Sequence, residues 1–412
     1  MKVFLSAYAC EPGKGSEPGV GWRWANGLAG RVDLTVLTRE SNRKAIEANL
    51  ADGMALKTTN FIYHDLAGPW LWAKRMGLLP TMAYYALWQW TASKRFAAVA
   101  DGSDVIHHLT FCTLLCPGFW KPKHARFVLG PVGAPQVNPH YLPIFGHHAA
   151  VQTLRRWLLE RFLGLPWLRR LVSGAAIVVP ANSETRGFLL RHGIDSQDVI
   201  LDTGAPDVPQ TSAERHSDGV IRLMYAGQLE RRKGLELSLR ALARAGESGL
   251  SDWRFDIFGH GPDRRRLEQI ANDLEIARRV VFHGAVSHEE LSRRFSEADA
   301  FIFTSVRDTS GGVNLEAMAH GLPLVCIAQQ GVGDVTDDSC AERVPPGPIP
   351  ETVAALSAAI LRLASDPVKR NAMGQAAVAR CAAFTWDEKF TRMLAHYRDA
   401  LTGDHERKTG VQ

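Results

Sequence analysis

The chain has 412 residues, 46% hydrophobic and 22% charged, with a formal net charge of +5. That length is too great for one small core, so two domains are expected, and the balance is that of a soluble globular enzyme. The charge admits anionic substrates or a lipid surface without indicating either, and six cysteines lacking metal-ligand spacing offer no metal site to read.

Residues 1–8 read as a strand rather than a basic region before a long apolar core, so no secretory signal is visible. Cys112 and Cys116 are the one close pair, and the cysteines read as buried free thiols of a reducing compartment. The expected location is cytoplasmic, with the inner face of the membrane as a further candidate. A glycine-dense loop, residues 10–21, then opens an amphipathic helix over 22–29. Strands follow at 32–38, 60–64, 104–109, 127–133 and 175–179, and a helix at 183–192. Residues 76–93 carry no charge and approach the length of a membrane span. Pro80, Thr81, Gln89 and Thr91 interrupt them and both flanks are basic, so a buried or membrane-facing helix is expected instead.

Strands alternating with helices imply a parallel sheet with right-handed crossovers, whose ligands gather at the strands' carboxyl ends. Residues 206–219 are polar and rich in breakers and read as a linker after a first domain at 1–205. A second alternation fills 220–385. It has strands at 220–225, 254–258, 280–283, 300–304 and 324–327, and helices at 234–245, 263–274, 287–297, 313–320 and 350–364. A last helix covers 386–402, before a polar tail at 403–412 expected to be disordered.

The densest chemistry lies in Ser305-Val-Arg-Asp-Thr-Ser-Gly-Gly-Val-Asn-Leu-Glu-Ala-Met-Ala-His-Gly-Leu-Pro323. Asp308 falls at a strand's carboxyl end and Glu316 in the first turns of the next helix, with Gly311 and Gly312 between them. Those glycines let a phosphate approach backbone N–H groups where the helix dipole favours negative charge. That plan suits a nucleotide diphosphate with a polyol on either side; the alternative is an ordinary strand–loop–helix with two solvated acids. Tyr225-Ala-Gly-Gln-Leu-Glu-Arg-Arg-Lys-Gly234 sets Lys233 just before a helix, within reach of an anion there. Ile257-Phe-Gly-His-Gly-Pro-Asp263 repeats strand, glycine turn, helix. One Gly-x-Gly carries little information, but four such turns at successive strand ends of one sheet carry more.

Together these segments resemble the family 4 glycosyltransferases, retaining nucleotide-sugar transferases of the GT-B fold. The likeness covers nearly all of the second half, including Val281-Phe-His-Gly-Ala-Val286, His288-Glu-Glu-Leu291 and Phe384-Thr-Trp386. In the first half, Gly15-Ser-Glu-Pro-Gly-Val-Gly21, His107-His108 and Gly130-Pro-Val-Gly133 resemble a subgroup that builds bacterial surface polysaccharides. The implied fold is α/β: two Rossmann-like doubly wound parallel-sheet domains facing a central cleft, the last helix crossing back to the first domain. The implied activity is metal-independent, retaining transfer of a sugar from a UDP-, GDP- or dTDP-sugar to a glycan or polyprenyl-diphosphate-linked acceptor. No cofactor is implied.

By the same resemblance, Lys233 neutralises the diphosphate and Asp308 holds the transferred sugar's hydroxyls. Glu316 accepts from the ribose hydroxyls, and Gly311 and Gly312 bring N–H groups to the phosphate. Arg232, Gln228, Gly259, Val286 and Gly19 complete the donor set, Val286 in the turn against which the base rests. Glu17, His107, His108 and Gly133 are the acceptor candidates. The chain departs from the family in Asp308 where glutamate is usual, Gln228 where arginine is usual, and Pro131-Val132 where many members carry histidine. A nucleotide-sugar epimerase or phosphorylase of the same fold, or a non-catalytic nucleotide- or glycan-binding relic, are the alternatives.

Nine of the eleven tryptophans precede residue 170. Residues 154–171 have helical apolar spacing with arginines around it, suited to an anionic membrane surface or to core packing with a solvated basic face. Nucleic acid is not expected as a partner, because no aromatic stacking platform accompanies Arg231-Arg-Lys233.

Overall fold

A computed structural model describes residues 1–50, 55–66, 68–76, 80–109, 111, 113–134, 137–206 and 219–409. Cys112, residues 207–218 of the expected linker and residues 410–412 of the expected tail lie outside them. Contacts divide the chain into two units, Met1–Ala134 with Leu158–Asp202 and Asp387–Gln412, and Pro135–Trp157 with Thr203–Trp386.

In the first unit, β1 (Lys2–Ala7), β2 (Asp33–Thr38), β3 (Asn60–Tyr63), β4 (Val105–Leu109), β5 (Arg126–Val132) and β6 (Ile177–Pro180) form one sheet in the order β3-β2-β1-β4-β5-β6. Every pairing is parallel, and Leu5 at the centre faces Val36 on one side and His107 on the other. β1 and β4 are buried almost throughout, as a sheet covered on both faces requires. Tyr84, Tyr85 and Trp88, on the helix Thr81–Arg95, are fully buried against them.

The helix after β1 runs over Ser16–Leu28, six residues earlier than expected from the glycine-rich sequence. Pro18 and Gly19 read as breakers, yet proline is tolerated in a helix's first turn. Gly19 also packs where a Cβ would lie 2.1 Å from the Lys14 carbonyl oxygen.

The last helix spans Trp386–Thr409, so most of the tail expected to be disordered from Gly403 is helical. Its Phe390 ring meets Trp24 edge-on at 5.4 Å, and a Cβ on Gly27 would fall 1.9 Å from that ring. These contacts group it with the first sheet.

The second unit repeats the plan with β7 (Ile221–Ala226), β8 (Trp253–Phe258), β9 (Val280–Gly284), β10 (Ala300–Phe303), β11 (Leu324–Ile327) and β12 (Ala341–Val344), ordered β12-β11-β10-β7-β8-β9 and all parallel. β12 was not expected, because Ala341-Glu-Arg-Val344 is too polar and short to read as a strand. Glu342 is tolerated there because Arg362 and Lys369 bond its carboxylate at 2.6 and 2.7 Å.

Residues 135–157 were expected in the first domain but group with this unit. Tyr141, Ile144 and Phe145 join its core, and the Tyr141 hydroxyl lies 3.2 Å from Thr352 Oγ1. The segment expected to be helical over 154–171 is two helices, Ala149–Leu163 and Pro166–Ser173, parted at Gly164-Leu165. Among the described residues no helix is long and apolar enough to cross a membrane. Cys10, Cys116, Cys326, Cys340 and Cys381 are buried thiols.

Both sheets reverse direction beside their first strand, between β1 and β4 and between β7 and β10. Such a switch point leaves a crevice at the strands' carboxyl ends, where ligands of doubly wound sheets bind.

Candidate active site

In the second unit, the loops leaving β7 and β10 meet over that crevice. The turn Arg231–Lys233 follows β7, and its Arg232 carbonyl accepts three bonds from the loop after β10. They come from the N–H of Val306 at 3.0 Å, the N–H of Arg307 at 3.2 Å and the Ser305 hydroxyl at 3.1 Å. Gly234 makes this approach feasible. Its φ is +61°, and a Cβ would stand 2.2 Å from the Thr304 carbonyl oxygen.

The two loops thereby bring together Lys233 and Asp308, residues 75 positions apart. The ammonium donates to Asp308 Oδ2, with the two side chains only 12% and 20% exposed. Lys233 also lies 5.5 Å from the centre of the Phe303 ring, whose face favours the cation.

Asp308 is fixed from behind by residues that the sequence did not suggest. Its backbone N–H donates to Gln330 Oε1, and Gln329 Nε2 donates to the Ser305 carbonyl at 2.9 Å. Gln330 adopts φ +51°, unusual for a residue with a Cβ and often retained where geometry matters to function. Nothing in Gln329-Gln330-Gly331 signals that conformation in the sequence.

Gly311 takes a left-handed conformation and starts the helix Gly312–Ala319. Along that helix Gly312, Val313 and Glu316 form the half-buried stripe, while Asn314, Leu315, Ala317 and Met318 face the core. Glu316 therefore lies on the same helix face as Gly312, one turn in from the end that Asp308 precedes.

The other donor candidates are distributed along the same sheet edge. Gln228 Oε1 accepts from Arg232 Nη2 at 3.0 Å, and Arg232 Nε donates to Glu230 at 2.5 Å. Arg231 binds Asp263 at 3.0 Å and the Ile144 carbonyl at 3.1 Å. Gly259 follows β8, with φ +132° and a hypothetical Cβ 1.9 Å from the Gly227 carbonyl oxygen, so a side chain there would collide with the segment leaving β7. Val286, in the turn after β9, is 37% exposed.

In the first unit, Glu17 bridges the corresponding switch point. It lies in the first turn of the helix after β1, and the Phe111 N–H just beyond β4 donates to its Oε2 at 3.3 Å. Burial and the Asp202 carboxylate raise the Glu17 carboxyl to about 7, against a lowering by that N–H. Gly19 is buried two residues further along, and Gly133 bridges Thr113 beyond the end of β5.

His107 and His108 are placed differently, inside β4 and fully buried. His107 lies between the Gly130 carbonyl, 2.5 Å from Nε2, and the Tyr397 hydroxyl, 2.7 Å from Nδ1. A carbonyl only accepts, so Nε2 carries the hydrogen and Nδ1 accepts from tyrosine. His108 lies between Tyr85 at 3.2 Å and Ser6 at 3.3 Å. Burial lowers the two imidazoles to about 4 and about 3. Both are neutral elements of the packing, and neither presents an atom at the sheet's edge.

Among the described residues no group of three or more His, Cys, Asp or Glu is placed to hold a metal ion. An anion at the β7–β10 crevice would instead meet the Lys233 ammonium and the N–H groups at the start of Gly312–Ala319.

Residues 210–380 match the family Glycosyl transferases group 1. The chain is 29% identical over 193 residues to D-inositol 3-phosphate glycosyltransferase 1 of Catenulispora acidiphila, covering 45% of this chain and 46% of that protein. It is 26% identical over 225 residues to 2-deoxystreptamine glucosyltransferase of Streptomyces kanamyceticus, covering 53% and 56%. The chain thus spans about half the length of the curated relatives it matches.

Among solved structures, sucrose-phosphate synthase from Thermosynechococcus elongatus superposes with a TM-score of 0.68 at 19% identity, over 98% of this chain and 99% of that one. WaaG, a glycosyltransferase involved in lipopolysaccharide biosynthesis, gives 0.62 at 16% over 97% and 100%. At such identities the likeness shows the fold: two Rossmann-like domains of the GT-B type.

Proposed function

We propose that the chain is a retaining glycosyltransferase that moves a sugar from a nucleotide diphosphate sugar to a glycan or lipid-linked glycan, in the assembly of bacterial surface polysaccharide. The family match over residues 210–380 supports transfer in general. The observation that carries the reading is the meeting of Lys233 and Asp308 at the switch point of the second sheet. In this account the ammonium shares its remaining hydrogens with the donor's diphosphate, lowering the cost of its departure with two negative charges. Asp308 orients both that ammonium and the sugar hydroxyls, and Glu316 receives the ribose.

Charge on the leaving group is met by Lys233, the backbone N–H groups at Gly311 and Gly312 and the helix dipole, without a divalent cation. Attack comes from the face the phosphate leaves, and the departing phosphate oxygen takes the acceptor's proton. No second catalytic carboxylate is required. Acceptor recognition falls to the first unit, with Glu17 at its sheet edge the strongest candidate there. The second-unit stretch of the helix Ala149–Leu163 exposes Val151, Leu154 and Trp157 along one stripe, at 56%, 53% and 53%. That stripe suits peripheral contact with an anionic membrane surface.

Proton NMR of the protein with UDP-, GDP- and dTDP-sugars, with and without a bacterial envelope glycan extract, tests the activity. Acceptor-dependent release of the nucleoside diphosphate and a product with the donor's anomeric configuration are expected. Interconversion of the donor sugar without acceptor would make the protein an epimerase instead, and an inverted product would exclude the mechanism.

A further inference from the structure

Among the described residues, two guanidiniums, Arg307 next to Asp308 and Arg155 within its electrostatic range, have no carboxylate partner. Arg307 directly precedes Asp308, and its side chain reaches the helix Ala149–Leu163, where Nη1 donates to Gln152 Oε1 at 2.5 Å. Arg155 lies one turn further along the same helix. Gln152, Arg155 and Leu159 belong to that helix's covered face, opposite the exposed stripe of Val151, Leu154 and Trp157.

Among the described residues neither Arg155 nor Arg307 is paired with a carboxylate. The acids within electrostatic range of Arg307 are already engaged, Glu230 by Arg232 and Asp308 by Lys233. Burial and the charges of Arg155 and Arg232 push the Arg307 guanidinium down to about 10, with Glu230 and Asp308 acting the other way, and burial lowers Arg155 as well.

Two like charges held together and partly removed from water cost stability unless an anion joins them. A purely structural position would be served better by an uncharged side chain, since among the described residues the Arg307 guanidinium bonds a neutral amide and no carboxylate. Guanidiniums, unlike ammoniums, grip phosphate and carboxylate through paired parallel N–H groups.

We propose that Arg155 and Arg307 form an oxyanion-binding pair beside Lys233 and Asp308, which takes a phosphate or carboxylate group of the substrate. The proposal deepens the transfer reading and rests on it for the word substrate, but the binding itself is measurable without turnover.

Melting temperatures in chloride and in inorganic phosphate at equal ionic strength test it, for the wild type, Arg155→Met, Arg307→Met and Arg307→Lys. Each is measured with and without Lys233→Ala, so that phosphate held by the ammonium is separated out. Phosphate is expected to raise melting in the wild type and in Lys233→Ala. The methionine variants are expected to melt at or above the wild type in chloride, because the repulsion is gone and the apolar stem is kept. They should bind phosphate at least about tenfold more weakly, with Arg307→Lys in between.

Titration with UDP then distinguishes the sources. A parallel loss of UDP affinity in the methionine variants assigns the oxyanion to the donor's diphosphate, and an unchanged UDP affinity assigns it to the acceptor. A phosphate effect absent in Lys233→Ala, or retained in the methionine variants, would overturn the pair. So would equal losses of melting temperature in chloride and phosphate, which would mark a packing role. If UDP still binds the wild type and fails with Lys233→Ala, the transfer reading survives that outcome.

Discussion

Glu17 shows how a single side chain can report on the site it occupies. Burial and Asp202 raise its carboxyl from 4.5 to about 7, against the Phe111 N–H. Between those values the folded chain keeps a proton that the unfolded chain has released. Its contribution to stability is therefore constant below about 4.5, falls as pH rises to about 7, and levels off above. Glu17→Gln, neutral throughout, is expected to flatten that fall, as melting curves at pH 5, 6 and 7 would show; an unchanged slope would contradict the assignment. Lys233 and Asp308 were legible because each sits at a fixed offset from a strand end and a glycine. Gln330 was not, since its left-handed backbone and its bond to the Asp308 N–H arise from packing between segments. The histidine pair was legible as polar residues in a strand, but not as core: only the structure reveals that Tyr397, 290 residues on, closes over His107.

At the scale of elements, the glycine turns at the strand ends decide whether the β7 and β10 loops can meet. Gly234→Ala would put a Cβ at φ +61° and 2.2 Å from the Thr304 carbonyl oxygen. A loss of roughly 2–4 kcal/mol in chemical denaturation is expected, together with loss of nucleotide binding. Wild-type stability in that variant would mean that the loops have room the geometry denies. The same physics explains which elements could be read in advance. Apolar runs such as Ala300–Phe303 signal buried strands, and eleven of the twelve strands among the described residues fall where the sequence leads one to expect them. β12 escapes because its buried carboxylate is neutralised by partners 20 and 27 residues away. The helix Ser16–Leu28 starts early because Pro18 and Gly19 serve its first turn instead of ending it.

Across the whole molecule, two sheets with the same strand order each place titratable side chains across the reversal point, Glu17 in one and Lys233 with Asp308 in the other. The alternation of strands and helices was enough to predict that doubling, whereas the grouping of residues 135–157 with the second unit depends on side chains such as Tyr141. The exposed stripe on Ala149–Leu163 leads to a membrane prediction. Changing Leu154 and Trp157 to serine should reduce flotation with vesicles containing phosphatidylglycerol and leave melting within about 1 °C, as expected for exposed positions. Undiminished flotation would remove that helix from the membrane account.

In the proposed function Lys233, held by Asp308, receives the diphosphate of a sugar nucleotide. A thermal-shift titration of the wild type and Lys233→Ala with UDP-, GDP- and dTDP-sugars tests it most directly. At about one hundred times the dissociation constant, a bound donor adds about 2.7 kcal/mol and raises melting by several degrees. That rise is expected for at least one donor in the wild type, and its loss in Lys233→Ala. A full rise in the variant, or none with any donor in the wild type, would contradict it.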